Sequence, residues 1–415
     1  MKKKKVLVLS DHALSTSGVG TQTRHLINGL LSKYPGHWSF RQFGAAIKHD
    51  NYDVVQVNPD FIIKPTDGFG NPGMIRQTLA IEKPDLIFIF TDPRFFEWLF
   101  AMEDELHQVC PVVWWHVWDN YPYPDYNSTF YEATDTINCH SYMTYEMVHE
   151  HFPEKTNFIP HALPESLFYE MNFQQKLMSR MQVLGPQNKD DFILFWMNRN
   201  ARRKRPADLL AAWQIFIEKI KAEGKSDAKL LLHTDPHDLE GPNLTAIAHR
   251  YGLNDSIVFS TDRISFEKIN TLHNIADCTI NISYAEGFGL STLEAMQTGT
   301  PIIAPKTGGQ TRQVVDHRDG SHNGVALDID FKTLVGSQQV PYIYEDYCSV
   351  EKIADAIYKI YSMDKQERID LGQKCKNYVR SEFSYGKTID LWHESMIETI
   401  ENWESRYERW KVLEI

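Results

Sequence analysis

The sequence predicts an α/β fold of two Rossmann-like, doubly wound domains facing each other across a cleft, followed by a C-terminal helix. Three observations carry that prediction. Short apolar runs alternate with helix-length segments along most of the chain, the pattern of parallel strands covered on both faces by crossover helices. At 415 residues the chain exceeds the size at which one hydrophobic core stops growing. The strand series also breaks off before residue 165 and restarts at Phe192, with the polar stretch Gly185-Pro-Gln-Asn-Lys-Asp-Asp191 in between.

In the first half the expected strands are Val6–Leu9, Val54–Val57, Leu86–Phe90 and Val112–Trp115. Thr21–Leu31 is an expected helix, with Leu26, Ile27, Leu30 and Leu31 on one stripe. The second series is Phe192–Trp196, Leu230–His233, Ile257–Phe259, Cys278–Ile282 and Ile302–Ala304, with Ala207–Ala222 among its helices. Glu165–Leu184 reads as a polar helical stretch. The expected plan is a domain over 1–170, a linker over 171–190, a second domain over 191–385 and an amphipathic helix over 386–415. That last helix carries Trp392, Met396, Ile400, Trp403, Tyr407 and Trp410 on one face, expected to pack back on the N-terminal domain.

Composition excludes several classes. With 42% hydrophobic and 24% charged residues the chain is globular, not disordered. A formal net charge of −12 excludes a surface that attracts nucleic acid all round, though not a local basic groove. Five scattered cysteines without a CxxC pair argue against a disulfide framework or zinc ribbon and for a reducing compartment. The lysines before Val6 flank only four apolar residues, too few for the roughly 7–15 of a secretory signal. No run reaches the ~20 apolar residues of a membrane span. The expectation is a soluble, cytoplasmic protein.

The sharpest motif runs from Asn281 to Pro301, with Glu286-Gly-Phe288-Gly289-Leu290-Ser291 leading to Glu294. A strand ends, glycines turn the chain, and a helix starts near Leu290 and stops at Gly299. Backbone N–H groups at such a helix start cradle phosphate. Glu286 falls in the loop and Glu294 inside the helix, so the two carboxylates address different parts of a ligand. A second cluster, Arg199-Asn-Ala-Arg202-Arg203-Lys204-Arg205, puts five cations in seven residues just past a strand end. By itself the run reads first as a solvated charge cluster or a nucleic-acid contact, and only then as a phosphate site. A third, Gly18-Val-Gly20, opens the first helix after the first strand. His116 ends an apolar strand, with Asp119 three residues on.

Together these motifs resemble the retaining nucleotide-sugar glycosyltransferases of the GT-B fold, most closely glycosyltransferase family 4, as scattered matches over most of the chain. The resemblance implies that the first domain takes the acceptor and the second binds the donor. Glu286 would contact the donor sugar, and Glu294 the ribose. The Phe288–Ser291 backbone would hold the phosphates, and Arg199 and Lys204, at the family's five-residue spacing, the diphosphate. Gly18 and Gly20 would approach the phosphates and acceptor. His116, with Glu286 and Asp119, would be catalytic, and His161 in Ile159-Pro-His161-Ala162 would match an interdomain site residue. Ala162 replaces the family's usual glycine. Gln310-Thr-Arg-Gln313 stands where the family has an acidic residue, which leaves the sugar open, and Val340–Tyr347 looks like an extra loop.

The activity implied is transfer of a hexose or pentose from a nucleotide-diphosphate sugar, a UDP-sugar foremost, to a hydroxyl. The anomeric configuration would be retained, with neither cofactor nor metal. Asp328-Ile-Asp330 sits too late in the chain for a metal pair, and His149-Glu-His151 lacks the spacing of a zinc helix. The acceptor expected is a glycan or polysaccharide precursor. One alternative is a hydroxylated base in DNA, suggested by Arg202, Arg203 and Arg205. Others are a nucleotide-sugar 2-epimerase of the same fold and a sugar-nucleotide-binding protein without turnover.

Overall fold

The computed structural model describes residues 3–225 and 227–407; Trp410 lies outside them. The described chain forms two compact units. The first comprises the chain up to Trp118, Pro122–His161 and the segment from Tyr385 on; the second comprises Asp119–Tyr121 and Ala162–Ser384.

The first unit is built on eight strands: β1 (Lys4–Asp11), β2 (Trp38–Ala45), β3 (Val55–Asn58), β4 (Phe61–Pro65), β5 (Leu86–Phe90), β6 (Val112–His116), β7 (Thr136–Cys139) and β8 (Thr156–Phe158). Their order is β3-β4-β2-β1-β5-β6-β7-β8, parallel except for the antiparallel β3–β4 pair. Alternate residues of β1 and β5 feed two cores. Val6, Val8, Phe88 and Phe90 face Ile27 and Leu30 of the helix Gly18–Lys33 and Trp392, Met396 and Ile400 of the helix Tyr385–Arg406. Leu7, Leu9, Ile87 and Ile89 face the other layer. Both faces of a parallel sheet are thus covered, which explains the unbroken apolar runs.

Two strand expectations are corrected. Val54–Val57 is not a buried parallel strand: β3 is an antiparallel edge strand, and Val54 and Val57 remain exposed. An apolar run at a sheet edge looks like one inside it. β2, whose Arg41 and Gln42 interrupt its apolar run, is buried next to β1.

The second unit holds β9 (Phe192–Met197), β10 (Ala228–His233), β11 (Ile257–Ser260), β12 (Cys278–Ile280), β13 (Ile302–Pro305) and β14 (Gly324–Leu327). They form a wholly parallel sheet in the order β11-β10-β9-β12-β13-β14. β15 (Phe331–Val335) and β16 (Ile343–Tyr347) make a separate antiparallel hairpin, so the expected extra loop contains a strand. Residues 171–190, expected as a linker, belong to this unit. Asn172 and Gln175 form a capping box on the helix Phe173–Leu184, and Arg180 on it donates to the Ile275 carbonyl and the Asp277 carboxylate.

The sheet order sets up the site. β9, β12 and β13 are neighbours and all parallel, so the loops leaving their carboxyl ends emerge side by side. That edge is where open α/β sheets bind ligands.

Candidate donor site in the second unit

Three loops meet at that edge: 198–205 after β9, 281–289 after β12 and 306–310 after β13. β12 stops at Ile280 rather than Ile282 because Asn281 turns inward. Its side-chain carbonyl accepts from the Ser283 amide at 3.1 Å and lies 2.6 Å from the Ser283 hydroxyl. The same hydroxyl lies 3.1 Å from Glu286 Oε2, and the Asn281 amide donates to that oxygen at 3.4 Å. One hydroxyl proton serves only one acceptor at a time, so Ser283 is a shared, adjustable donor.

Glu286 is buried and forms a direct ion pair with the equally buried Lys204. Burial would raise the Glu286 carboxyl. The Lys204 and Arg203 charges and the hydrogen bonds from Lys204 and Asn281 outweigh it and hold the pKa down to about 2. Burial lowers the Lys204 ammonium against the pull of Glu286. Arg203 Nη1 donates to the Ala285 carbonyl at 3.1 Å and stands 3.7 Å from Asp119 and 3.8 Å from Glu286. The Arg203 carbonyl accepts from the Tyr284 amide, which ties the β9 and β12 loops together.

Glycines let the third loop close in. A Cβ on Gly308 would sit 2.1 Å from the Glu286 carbonyl oxygen, and one on Gly309 would sit 2.3 Å from that of Gly287. Behind this contact the helix Leu290–Gln297 begins at Gly289, in the left-handed region at φ 90°, and no side chain caps it. Its first-turn amides at Leu290 and Ser291 therefore carry the positive end of the helix. Gln313 fixes the turn from the rear: its amide donates to the Phe288 carbonyl at 2.6 Å and accepts from the Thr292 hydroxyl at 2.5 Å. The position that departs from the family pattern is thus a buried strut of the turn. Phe288 anchors the same turn against Phe383. Glu294 lies within the helix and is buried beside His273, whose Nε2 stands 3.1 Å from it. With Nε2 as donor, Nδ1 is left to accept from the Thr279 hydroxyl at 3.4 Å.

The second unit therefore gathers Lys204, Glu286, Asp119, Phe288, Gly289, Leu290 and Ser291, with Glu294 along the same helix. It does not bring Arg199 to Lys204. Arg199 is 65% exposed at the side chain and holds Asp238 through two hydrogen bonds, of 2.7 and 3.2 Å. Sequence reasoning missed Ser283 and His273, and gave Arg203, Asn281 and Gln313 no place beside Glu286 or its turn. Asn281 and Ser283 could have been found from their spacing ahead of Glu286; His273, on another helix, carries no sequence signal.

The other expected residues lie in the first unit. His116 ends β6 and is fully buried between Trp114 and Tyr131, with Nε2 2.8 Å from the Tyr131 hydroxyl. Burial, with His140 nearby, pushes it well below its usual pKa, so it is neutral. His140 Nδ1 donates to the His116 carbonyl at 2.6 Å. His161 is buried edge-on against Trp115 and is likewise held neutral by burial. Gly18 opens the first helix, which Ser17 caps by accepting from the Gly20 amide at 3.0 Å. A Cβ on Gly20 would lie 2.3 Å from the Ser15 hydroxyl, so close packing by itself demands glycine there.

Asp328 and Asp330 pair with Lys306 and Lys352. Among the described residues no group of three metal-ligating side chains converges, and no helix is long and apolar enough to cross a membrane.

Residues 181–330 match the family described as glycosyl transferases group 1, and the chain has the GT-B fold. The sucrose-phosphate synthase of Thermosynechococcus elongatus superposes with a TM-score of 0.73 at 18% identity, covering 96% of this chain and all of that one. HepE of Anabaena, solved with UDP-glucose, gives 0.67 at 15% identity, covering 95% of this chain and 99% of that one. Among curated proteins, a D-inositol 3-phosphate glycosyltransferase of Paenarthrobacter aurescens is 25% identical over 51% of this chain and 45% of its own length. Another, from Catenulispora acidiphila, is 33% identical over 20% of this chain. The matched segments thus span from about a fifth to just under half of these relatives' own length.

Proposed function

We propose that the chain is a retaining glycosyltransferase that moves a sugar from a nucleotide-diphosphate sugar, a UDP-sugar foremost, to a hydroxyl of a glycan or polysaccharide precursor. The observation that carries this reading is the buried Lys204–Glu286 pair set beside the uncapped start of the 290–297 helix. A buried, fully ionised carboxylate suits sugar hydroxyls, which donate to it. Helix amides and a lysine suit a diphosphate and stabilise the charge that builds on it as the glycosidic bond breaks. Glu294 would take the ribose hydroxyls. With those positive groups facing the leaving group, the reading routes no step through a metal, and activity should persist in EDTA. Glu286 is tied up by Lys204 and held ionised, which suits positioning rather than attack on the anomeric carbon. The leaving phosphate itself would accept the acceptor's proton on the same face, and trapping a covalent glycosyl-enzyme would overturn this mechanism.

The same loops speak against a DNA acceptor. Arg202 holds Glu345, Arg205 holds Asp208 and the Cys348 carbonyl, and Arg203 faces Asp119 and Glu286. The arginines that suggested a nucleic-acid groove are engaged within the unit.

The deciding experiment is a thermal-shift panel of nucleotide-diphosphate sugars on the wild type, Lys204→Ala and Glu294→Ala. One donor should raise the wild-type midpoint and neither variant should respond. A panel in which no sugar nucleotide shifts the wild type overturns the donor assignment.

A further inference from the structure

We propose that His273 is a positioning residue that fixes the Glu294 carboxylate for the donor's ribose, so that the choice of ribose over deoxyribose depends on a side chain with no exposed surface of its own; this rests on the donor-site reading above. Glu294 lies on the helix Leu290–Gln297 with its side chain 9% exposed. Among the described residues its carboxylate has one hydrogen-bond partner, His273 Nε2 at 3.1 Å from Oε2. Oε1 is left to accept from a ligand. His273 belongs to the helix Phe266–Ile275, and its ring is held from several sides. It packs edge-on against Phe195 and Phe168, with ring centroids 5.0 and 6.2 Å away. Nδ1 stands 3.4 Å from the Thr279 hydroxyl on β12, and the Thr300 hydroxyl donates to the His273 carbonyl at 2.8 Å.

Aromatic rings flank this slot, and an apolar side chain would fill it without the cost of taking an imidazole out of water. What the imidazole adds is reach in two directions at once. When Thr279 donates to Nδ1, the ring proton sits on Nε2, and Nε2–H donates to Glu294. One orientation of the carboxylate is thereby selected before any donor arrives, with Oε2 satisfied and Oε1 open. A ribose hydroxyl then meets an acceptor that is already oriented. A nucleotide without that hydroxyl leaves the acceptor unpaired, which is how a site built to bond a hydroxyl rejects the analogue lacking it. No covalent step is involved.

Calorimetric titration of UDP, ADP and GDP and of their 2′-deoxy counterparts tests this on the wild type, Glu294→Ala, His273→Gln and His273→Asn. A glutamine amide reaches about as far as Nε2 and an asparagine amide only as far as Nδ1. The two variants therefore separate the bond to Glu294 from polar filling of the slot. For the base that binds best, the wild type should prefer the ribonucleotide by about tenfold or more, as one hydrogen bond to a charged group provides. Glu294→Ala should level that preference, His273→Gln should keep most of it, and His273→Asn should bring it under about threefold. A merely structural His273 would weaken ribo and deoxy forms alike and leave their ratio unchanged in His273→Asn. That result overturns the proposal, as does a preference lost to the same extent in His273→Gln. In the wild type itself, nitrogen NMR of histidine-labelled protein should show the His273 proton on Nε2; a ring whose only proton is on Nδ1 overturns the proposal without any variant. Two other outcomes reach further. A wild type that binds nucleoside diphosphates without preferring the ribo form, or a preference that survives in Glu294→Ala, overturns the placing of the ribose on Glu294 and this proposal with it. A wild type that binds no nucleoside diphosphate overturns the donor reading as a whole.

Discussion

Glu286 and Lys204 are each the reason the other stays charged, and this sets how the site responds to substitution and to acid. Removing one partner leaves the other buried without its counter-ion, so Lys204→Ala should cost about 3–5 kcal/mol of stability in the second unit. Adding Glu286→Ala should recover part of that loss, which denaturant melts of both variants would measure. The acid response follows from the depressed Glu286 pKa. Its stabilising contribution is complete above the ordinary value of 4.5 and is lost as pH falls toward about 2. Glu286→Gln should therefore melt well below the wild type at neutral pH, with the gap closing between those limits. A gap constant with pH would show that the carboxylate is not held down by its neighbours. Residues of this kind were partly legible in the sequence. Glu286, Lys204 and Glu294 sit in patterns whose spacing points to a ligand. That Arg199 turns to Asp238, beyond another strand, was not legible, because spacing along a loop does not say which way a side chain turns.

At the level of elements, the close approach of the 306–310 loop to 286–288 makes glycine a requirement of shape. Gly308→Ala would drive a methyl into the Glu286 carbonyl, at a position whose φ of 48° already costs a side chain about 1–2 kcal/mol. The variant should lower the melting temperature and lose the thermal shift from a nucleotide sugar; keeping that shift in full would mean that the loop contact does not shape the donor site. The strands of the second unit were legible because their apolar runs are continuous and each is followed by a loop and a helix. β2 and β3 were not, for opposite reasons. β2 carries Arg41 and Gln42 yet is buried, because Gln42 satisfies the Ser10 hydroxyl and the Asp11 carbonyl from within. β3 is apolar but lies at the edge. Local hydrophobicity reports burial only when no buried polar partner and no sheet edge intervenes.

For the molecule as a whole, the helix Tyr385–Arg406 is the feature with the widest reach. Trp392 stacks edge-on against Phe88 and Trp115 in the core of the first unit. Trp392→Ala should cost about 3–5 kcal/mol, and calorimetry should show the loss as a lower first-unit transition while the second unit's is unchanged. Equal displacement of both transitions would contradict the division into two cores. The aromatic spacing of this helix was legible; which core it enters was not, because spacing defines a face and not its partner.

That arrangement also imposes an order on synthesis. The first unit's sheet leaves the ribosome early, but the face that Trp392, Met396 and Ile400 complete stays uncovered until all of 162–384 has been translated. At 5–20 residues per second this is on the order of 10–45 s. During that interval Phe88, Phe90 and Trp115 present an apolar surface to whatever is nearby. A nascent chain arrested before residue 385 should be cut readily by protease within β1–β8, whereas one arrested after residue 406 has emerged should resist. The last helix thus closes the first unit only after the whole of the second has been made.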